Sequence, residues 1–386
     1  MDFSNFLIEH EPQSLHHEVP VVWKSAFKWW VWDESGNEYT DFTSGIFVAN
    51  AGHGREEIID AICIQSEDLI HSYAFPNKPR EDLVGKLCEI SGMDKVFLCS
   101  TGSEAIEAAI RCMQAFAGEK DIWRRGMWGL KGSFHGRTLG CKYINKWILP
   151  PIEYDGLTPR LPYFAKTGTG KPLGLFIEPY FGYNAHFHNK EWIQDLCGQA
   201  QEHNIPVCFD EVQAGFGRTG KMFGFEHYGV KPDLIVVGKA LSGCLPISAV
   251  IGRADLLDAP DDLSSTHTGN PVCCAAALTN LKIIEDERLV ERSASMEPVL
   301  RNATMDIQTT YPDIVSKVSG RGMVWALDLN DVDLANRVVD GCAEKGLLLV
   351  KTHRGTIKIG PPLITPKDVL VEGCRIIKEV LGELQT

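Results

Sequence analysis

The chain has 386 residues, of which 44% are hydrophobic, so it can fill one large core or two modest ones. Its formal net charge is −13, with 38 basic and 51 acidic side chains and no long basic run. This charge argues against a nucleic-acid partner. No apolar stretch approaches the roughly 20 residues of a membrane span, and the acidic N-terminal segment is unlike a secretory signal. We expect a cytoplasmic protein without a membrane partner.

Twelve cysteines could indicate disulfides or a zinc site. Their spacing argues against both, because no CxxC pair occurs and Cys273 is adjacent to Cys274. Other cysteines lie inside apolar runs such as KVFLCS and IPVCFD. We therefore expect reduced, buried thiols and no metal site.

The first elements of the chain predict a small hairpin. Aromatic and polar residues alternate in FKWWVWDESGNEYTDF, with Ser35-Gly36-Asn37 at the turn. From about Gly45, strand and helix patterns alternate. Buried strands are predicted over 94–100, 173–179, 205–210, 233–239 and 247–252, with helices over 103–118 and 190–203. This alternation predicts the α/β class, with a mostly parallel central sheet flanked by helices.

After Pro271 the pattern becomes helical, and short strands follow near 322–329 and 347–359. We interpret this part as a second, smaller α+β domain. The predicted division is an N-terminal segment, 1–44, that joins the small domain, a large domain over 45–272, and the small domain over 273–386. The helix that leaves residue 272 is expected to cross between the domains.

Two predicted strands end in opposite charges. VCFD ends in Asp210, and DLIVVGK ends in Lys239. Because ligands of open parallel sheets bind beyond the carboxyl ends of the strands, both side chains should face one site. They could form a plain ion pair. Alternatively, a lysine whose pKa is lowered by an apolar site forms Schiff bases with carbonyl compounds, and pyridoxal phosphate requires such a lysine together with an acid at its ring nitrogen.

A phosphate site is also indicated by LCSTGSEAIEAA, a strand followed by a glycine turn and a helix. The backbone N–H groups of Gly102 and Ser103 lie at the helix start, where the helix dipole favours an anion, and the Ser103 hydroxyl can add a hydrogen bond. The capping box of Thr101 and Glu104 is common in helices, so this motif is weak alone. The phosphate motif, Asp210 and Lys239 are three strand-end features that match one cofactor, and together they indicate a pyridoxal phosphate site more strongly than any one of them does alone.

The sequence resembles the class III aminotransferases of the ornithine and ω-amino acid type, which are fold-type I pyridoxal phosphate enzymes. The resemblance covers nearly the whole chain and depends most on residues 209–253, FDEVQAGFGRTGKMFGFEHYGVKPDLIVVGKALSGCLPISAVIGR. Further matching motifs are STGSEAIEAAIR, SFHGRTLG, FIEP and STHTGNPVCCAAAL. The resemblance implies amine and carbonyl substrates, ping-pong kinetics, and a homodimer whose active sites are shared between subunits.

The resemblance also implies the roles of individual residues. Lys239 would hold the cofactor as a Schiff base and, once displaced, move a proton, while Asp210 would keep the pyridine nitrogen protonated. The other implied contacts are Val212 beneath the ring, Phe134 on its other face, Gln213 at its phenolic oxygen, Gly102 and Ser103 at the phosphate, Thr266 from the neighbouring subunit, and Glu178 as an anchor behind the site. We expect His135 to support its loop.

Two positions depart from the family pattern. In TIKIGPPL, Lys358 stands where the family commonly has an arginine, and Tyr183 stands where the ornithine-type branch has a glutamate. Lysine lacks the planar fork that binds a carboxylate at two points. We therefore predict a substrate without a tightly clamped carboxylate, such as an amino sugar or aminoglycoside, a diamine or another ω-amino compound. As alternatives, Lys358 or Arg354 still binds a carboxylate, as expected for an acetylornithine, ornithine or 4-aminobutyrate aminotransferase, or the scaffold serves an isomerase or lyase.

Overall fold

The structure is a computed structural model that describes residues 3–15, 19, 21–119, 126–144, 148–149 and 171–384. Parts of the predicted domain ranges, including residues 151–170, lie outside the described residues. The described strands are β1 (Trp23–Phe27), β2 (Trp30–Asp33), β3 (Glu38–Asp41), β4 (Lys95–Cys99), β5 (Met127–Leu130), β6 (Ile148–Leu149), β7 (Gly174–Ile177), β8 (Tyr180–Phe181), β9 (His186–Phe187), β10 (Val207–Asp210), β11 (Leu234–Val237), β12 (Ser248–Gly252), β13 (Lys317–Arg321), β14 (Val324–Asp328), β15 (Leu347–Leu348), β16 (Val350–Lys351) and β17 (Thr356–Ile359).

The described helices alternate with these strands along much of the chain. They are Phe3–His10, Glu56–Asp68, Lys78–Ser91, Gly102–Phe116, Leu139–Ile144, Lys190–Glu202, Ala254–Leu257, Pro271–Asp286, Leu289–Thr310, Val332–Glu344 and Lys367–Glu383, with short 3₁₀ turns at Gln13–Leu15, Gly224–Tyr228 and Lys239–Leu241. No helix within the described ranges has both the length and the apolar content to cross a bilayer.

The centre of the fold is a seven-stranded sheet in the order β4-β12-β11-β10-β7-β5-β6. Strand β12 runs antiparallel to both of its neighbours, and the other four pairs are parallel. Strands β7, β10 and β11 are buried along their whole length, as their continuous apolar sequences require. The prediction of an α/β fold with a mostly parallel sheet is therefore confirmed.

The helix Gly102–Phe116 starts where the sequence signals its start. Its N-cap is Thr101, whose hydroxyl accepts a hydrogen bond from the N–H of Glu104 at 3.3 Å. The Glu104 carboxylate in turn accepts from the N–H of Ser100 at 2.7 Å. The small side chains of this helix are buried against the sheet, so its N-terminus is held at the edge where β4 ends.

The N-terminal hairpin lies beside the C-terminal part of the chain. Strands β1, β2 and β3 pair antiparallel, and β3 pairs in parallel with β15. A second antiparallel sheet, β13-β14-β17-β16, carries the C-terminal helices. These pairings support the proposal that the N-terminal segment is part of the small domain.

The helix Pro271–Asp286 packs on the helices Glu56–Asp68 and Lys78–Ser91. The next helix, Leu289–Thr310, packs on the sheet of the small domain. The chain therefore passes from one packing environment to the other near residue 288, later than the expected boundary at 272. The reason is the apolar face of the first helix, which needs the large-domain helices to bury it.

Arg218 connects the parts of the fold. Its guanidinium is fully buried and donates hydrogen bonds to the carbonyls of Met323 (2.9 Å) and Pro361 (2.5 Å). It also donates to the Ser44 hydroxyl at 3.2 Å and to Oδ1 of Asn50 at 2.6 Å. Burial lowers the pKa of Arg218 to about 10, so the side chain stays cationic at neutral pH. One side chain thus joins the N-terminal segment, the large domain and the small domain.

Candidate active site

A cleft of about 570 Å³ opens where β4, β7, β10 and β11 end. It contains every site residue that the sequence predicts except Thr266 and Lys358. The predicted residues in its wall are Gly102, Ser103, Phe134, Glu178, Tyr183, Asp210, Val212, Gln213 and Lys239. The parallel strands bring them together because their carboxyl ends share one edge of the sheet.

Asp210, the last residue of β10, is 6% exposed and has a donor at each carboxylate oxygen. Its Oδ1 accepts from the backbone N–H of Val212 at 3.1 Å, and its Oδ2 lies 2.8 Å from Nδ1 of His135. Burial lowers the pKa of His135, but the hydrogen bond and the charge of Asp210 outweigh it and raise the pKa above its ordinary value. Nδ1 of His135 is therefore the donor that orients Asp210.

Lys239 follows β11 and has a left-handed backbone, with φ of 44°. Such a conformation costs a non-glycine residue about 1 kcal/mol or more, so neighbouring contacts must maintain it. Nδ2 of Asn280 donates to the carbonyls of Ala240 (2.7 Å) and Leu241 (3.2 Å), which holds the turn.

The amine of Lys239 faces the cleft. Burial lowers its pKa, although the charges of Asp210 and Glu178 oppose this effect. No described residue forms a hydrogen bond or ion pair with Nζ of Lys239. A buried amine with a lowered pKa and no partner is suited to attack a carbonyl carbon.

The start of the helix Gly102–Phe116 forms a cradle in the cleft wall. A Cβ at Gly102 would lie 3.1 Å from Cγ1 of Val212, so a larger residue would press against this side chain. Gly136 has φ of 127°, and a Cβ there would overlap Oγ of Ser103. This Oγ accepts from the N–H of Arg137 at 3.3 Å. The cradle, the free lysine and the oriented carboxylate fit the phosphate, aldehyde and ring nitrogen of pyridoxal phosphate.

Gln213 is oriented by two donors to the same oxygen. Its Oε1 accepts from Nζ of Lys358 at 2.5 Å and from the hydroxyl of Tyr180 at 3.2 Å. The side-chain NH₂ group is therefore left to donate into the cleft, where the ring oxygen of the cofactor is expected.

Lys358 does not lie in the cleft wall. It is 2% exposed, it also donates to the carbonyl of Gly182, and its Nζ lies 4.1 Å from the ring centre of Phe47. Burial lowers the pKa of Lys358 well below its ordinary value. The structure thus places this lysine behind Gln213, with its amine already bound.

Glu178 connects two loops in the wall of the cleft. Its carboxylate accepts from the N–H of Phe134 at 2.9 Å and from the N–H of Gly182 at 3.1 Å. Burial raises its pKa to about 7. The ring of Phe134 is about half exposed in the cleft wall, and the guanidinium of Arg137 lies 5.7 Å from its centre.

Thr266 is exposed in a turn and does not line the cleft of its own chain. In the same turn, the ring of His267 lies 5.3 Å from the ring of His71. A role for Thr266 in an active site therefore requires a second subunit.

Sequence reasoning missed two features of the site. The first is the contact of His135 with Asp210, since His135 was expected only to support its loop. The available signal was that a buried acid at position 210 needs a hydrogen-bond donor. The second feature is the turn Ser44–Phe47, in which four consecutive residues have φ between 48° and 66°. Ile46 of this turn lines the cleft. Of these four residues only Gly45 readily adopts a left-handed backbone, so no sequence pattern predicts this turn.

Comparisons with known proteins point to one enzyme family. A family model for class III aminotransferases matches residues 13–142 and 173–381. The acetylornithine aminotransferase of Methanocaldococcus jannaschii is 32% identical, over 96% of this chain and 96% of that protein. The 5-aminovalerate aminotransferase of Pseudomonas aeruginosa is 31% identical, with coverages of 97% and 96%. The structure of the ornithine aminotransferase from Toxoplasma gondii aligns with a TM-score of 0.90 at 27% identity, over 100% of this chain and 95% of that chain.

The fold and the cleft define a pyridoxal phosphate enzyme of fold type I. The chain belongs to the class III aminotransferases. It is a transaminase that depends on pyridoxal phosphate, so the predictions of family, cofactor and reaction are confirmed.

Proposed function

We propose that this transaminase moves an amino group from an ω-amino acid to a carbonyl acceptor in two half-reactions. The observation that carries the proposal is the free amine of Lys239 in one cleft with the carboxylate of Asp210. The bound cofactor supplies an electron sink for the bond that breaks at the amine-bearing carbon. The chain supplies the groups that hold this cofactor and move the proton.

Each group has a distinct task. Lys239 would bind the cofactor aldehyde and, when free, would carry the proton between the two carbons. Asp210, oriented by His135, would hold a proton on the ring nitrogen. Val212 and Phe134 would pack against the ring. The NH₂ group of Gln213 would donate to the ring oxygen, and the N–H groups of Gly102 and Ser103 would bind the phosphate.

The charges in the cleft favour an ω-amino acid over a diamine or an aminoglycoside. Both carboxylates in its wall, Asp210 and Glu178, already accept hydrogen bonds from the protein. Both carboxylates in the described part of the wall are therefore already oriented by donors of the protein. The guanidinium of Arg354, in contrast, has no described acidic partner. The relatives named for acetylornithine and 5-aminovalerate are consistent with a substrate that carries a carboxylate.

A half-reaction tests the proposed function. The holoenzyme is mixed with one amine at a time, without acceptor, using 5-aminovalerate, N-acetylornithine, 1,5-diaminopentane and glucosamine. We expect the ω-amino acids to convert the cofactor to its amine form, seen by absorbance, and to release one equivalent of carbonyl product. An isomerase or lyase would not accumulate the amine form. If glucosamine or the diamine converts the cofactor and the ω-amino acids do not, the proposed substrate class is contradicted.

We also propose a homodimer with shared sites. Apolar side chains that are half or more exposed cluster in and after the helix Glu56–Asp68, namely Ile59, Ile64, Ile70 and Phe75. The turn that carries Thr266 adjoins this surface through His71 and His267. A second copy that covers it would bring Thr266 towards the partner's phosphate site. Sedimentation equilibrium should give twice the chain mass of 42.8 kDa, and a fully active monomer would contradict the proposal.

The cytoplasmic location is a proposal too. All 12 cysteines are free, and seven of them are buried, as expected of a protein in a reducing compartment. Cell fractionation would test it directly, and recovery in an oxidising compartment would contradict it.

A further inference from the structure

Lys358 reaches from the small-domain sheet to the side chain of Gln213 in the cleft wall. It lies in β17, whereas Gln213 follows β10. Its Nζ donates to Oε1 of Gln213 at 2.5 Å and to the carbonyl of Gly182. The amide of Gln213 also packs against Gly182, where an added Cβ would lie 3.6 Å from Nε2 and 3.7 Å from Oε1. Contacts from two parts of the chain therefore restrict this amide.

The surroundings of Lys358 determine what its amine can do. Burial and the charges of Lys239 and Arg218 lower its pKa, and the charge of Glu178 opposes them. The carbonyl that it contacts stabilises the ammonium form, as does the ring of Phe47, whose centre lies 4.1 Å from Nζ. An ammonium group has donors and no acceptor. The amide beside it must therefore present its oxygen, and not its NH₂ group, to this lysine.

Tyr180, the other partner of the Gln213 amide, does not impose an orientation. Its hydroxyl lies 3.2 Å from Oε1 of Gln213 and 3.3 Å from the backbone oxygen of the same residue. A hydroxyl both donates and accepts, so it is compatible with either orientation of an amide. Among the described contacts, the one with Lys358 distinguishes the oxygen of this amide from its nitrogen. No described residue accepts a hydrogen bond from Nε2 of Gln213, which leaves this group for a ligand of the cleft.

We propose that Lys358 is a positioning residue, which fixes the amide of Gln213 so that its NH₂ group donates to the ring oxygen of the cofactor. This inference rests on the proposed role of Gln213 and assigns a task to the lysine that departs from the family pattern. A donor at the ring oxygen favours the anionic form of that oxygen and so lowers the pKa of the bound cofactor. Lys358 thereby helps to set the proton affinity of a cofactor that it does not touch.

Absorbance titration of the holoenzyme against pH, without any substrate, tests this role. We expect Lys358→Met to raise the apparent pKa of the bound cofactor by about one unit, because the amide is no longer oriented and a hydrogen bond to an ionised oxygen has about that strength. Lys358→Gln places either a donor or an acceptor against the amide, so it should raise this pKa by a smaller amount. It gives the same test with a polar side chain, should the methionine variant not fold. Tyr180→Phe should have less effect than Lys358→Met.

A double substitution separates positioning from a direct effect of charge. Gln213→Met removes the donor itself and should also raise the pKa of the cofactor by about one unit. Lys358→Met in the Gln213→Met background should cause no further rise, because the lysine acts through the amide. The matched control is Lys351→Met, in the neighbouring strand β16, where the lysine lies in the cleft wall 3.8 Å from the carboxylate of Asp340. We expect this variant to leave the pKa of the cofactor unchanged.

The inference for Lys358 is overturned if Gln213→Met raises the pKa of the cofactor and neither Lys358 variant does. It is also overturned if Lys358→Met has the same effect in both backgrounds, or if Lys351→Met has as large an effect, since each result would indicate a general effect of charge. If Gln213→Met has no effect, this inference and the proposed role of Gln213 fail together. The proposed substrate class is tested separately, because no amine is added here and the half-reaction can fail while these shifts are observed.

Discussion

Lys239→Ala is expected to lower transamination roughly 10³-fold or more, because the variant loses both the amine that binds the cofactor and the group that moves the proton. Treatment of the holoenzyme with borohydride, followed by mass analysis of the peptide that contains Lys239, should find the cofactor attached to the wild-type lysine only. The variant should stay folded, since burial of this amine is unfavourable and no described partner is lost.

A matched control is Lys231→Ala, which changes an exposed lysine eight positions earlier in the chain. We expect this variant to keep full activity and the borohydride label. Two results would contradict the assigned role of Lys239: activity of Lys239→Ala above a tenth of the wild-type value, or a cofactor label on a different lysine.

Arg218→Met is expected to destabilise the protein by about 4 kcal/mol or more, because four buried neutral acceptors lose their donor and each buried unsatisfied acceptor costs about 1–3 kcal/mol. The substitution keeps an unbranched apolar side chain but removes the hydrogen bonds to Ser44, Asn50, Met323 and Pro361. The acceptors would stay buried without their donor. The free energy of unfolding from urea titration of the apoprotein measures the effect.

Arg218→Lys provides a graded comparison, because lysine keeps the charge but cannot donate in two directions from a planar fork. Its free energy of unfolding should lie between those of the wild type and Arg218→Met. The same substitution at an exposed position, Arg375→Met, should change the free energy of unfolding by less than about 0.5 kcal/mol. A loss below about 1 kcal/mol for Arg218→Met would show that this residue does not hold the parts of the fold together.

The main elements of the fold could be predicted because their sequence patterns are strong and local. The buried strands β4, β7, β10, β11 and β12 all lie within their predicted ranges. The helix Gly102–Phe116 begins one residue before its prediction, at the cap that Thr101 provides. The residue at which the chain passes between the two packing environments was not predictable from the sequence, which does not show which helices bury the face of Pro271–Asp286.

The site was predictable where its residues follow strands. Asp210 ends β10 and Lys239 closely follows the adjacent parallel strand β11, so sheet geometry is enough to bring them to one edge. The contacts of His135, Arg354 and Lys358 were not predictable in this way. They come from loops and from the small domain, and their contacts with the cleft span 75 or more residues of sequence.

The sequence by itself determined the order of strands and helices, the acid and the lysine at the sheet edge, and the resemblance to one enzyme family, because these depend on local periodicity and on motifs within short segments. Only the tertiary structure decided which cation is available to a substrate. Lys358 and Arg354 are four residues apart and both are basic residues, yet one is buried against Gln213 and the other lies on Tyr183 in the cleft. The physical reason is that desolvation and hydrogen bonding depend on the packed surroundings of a side chain, which its neighbours in sequence do not specify.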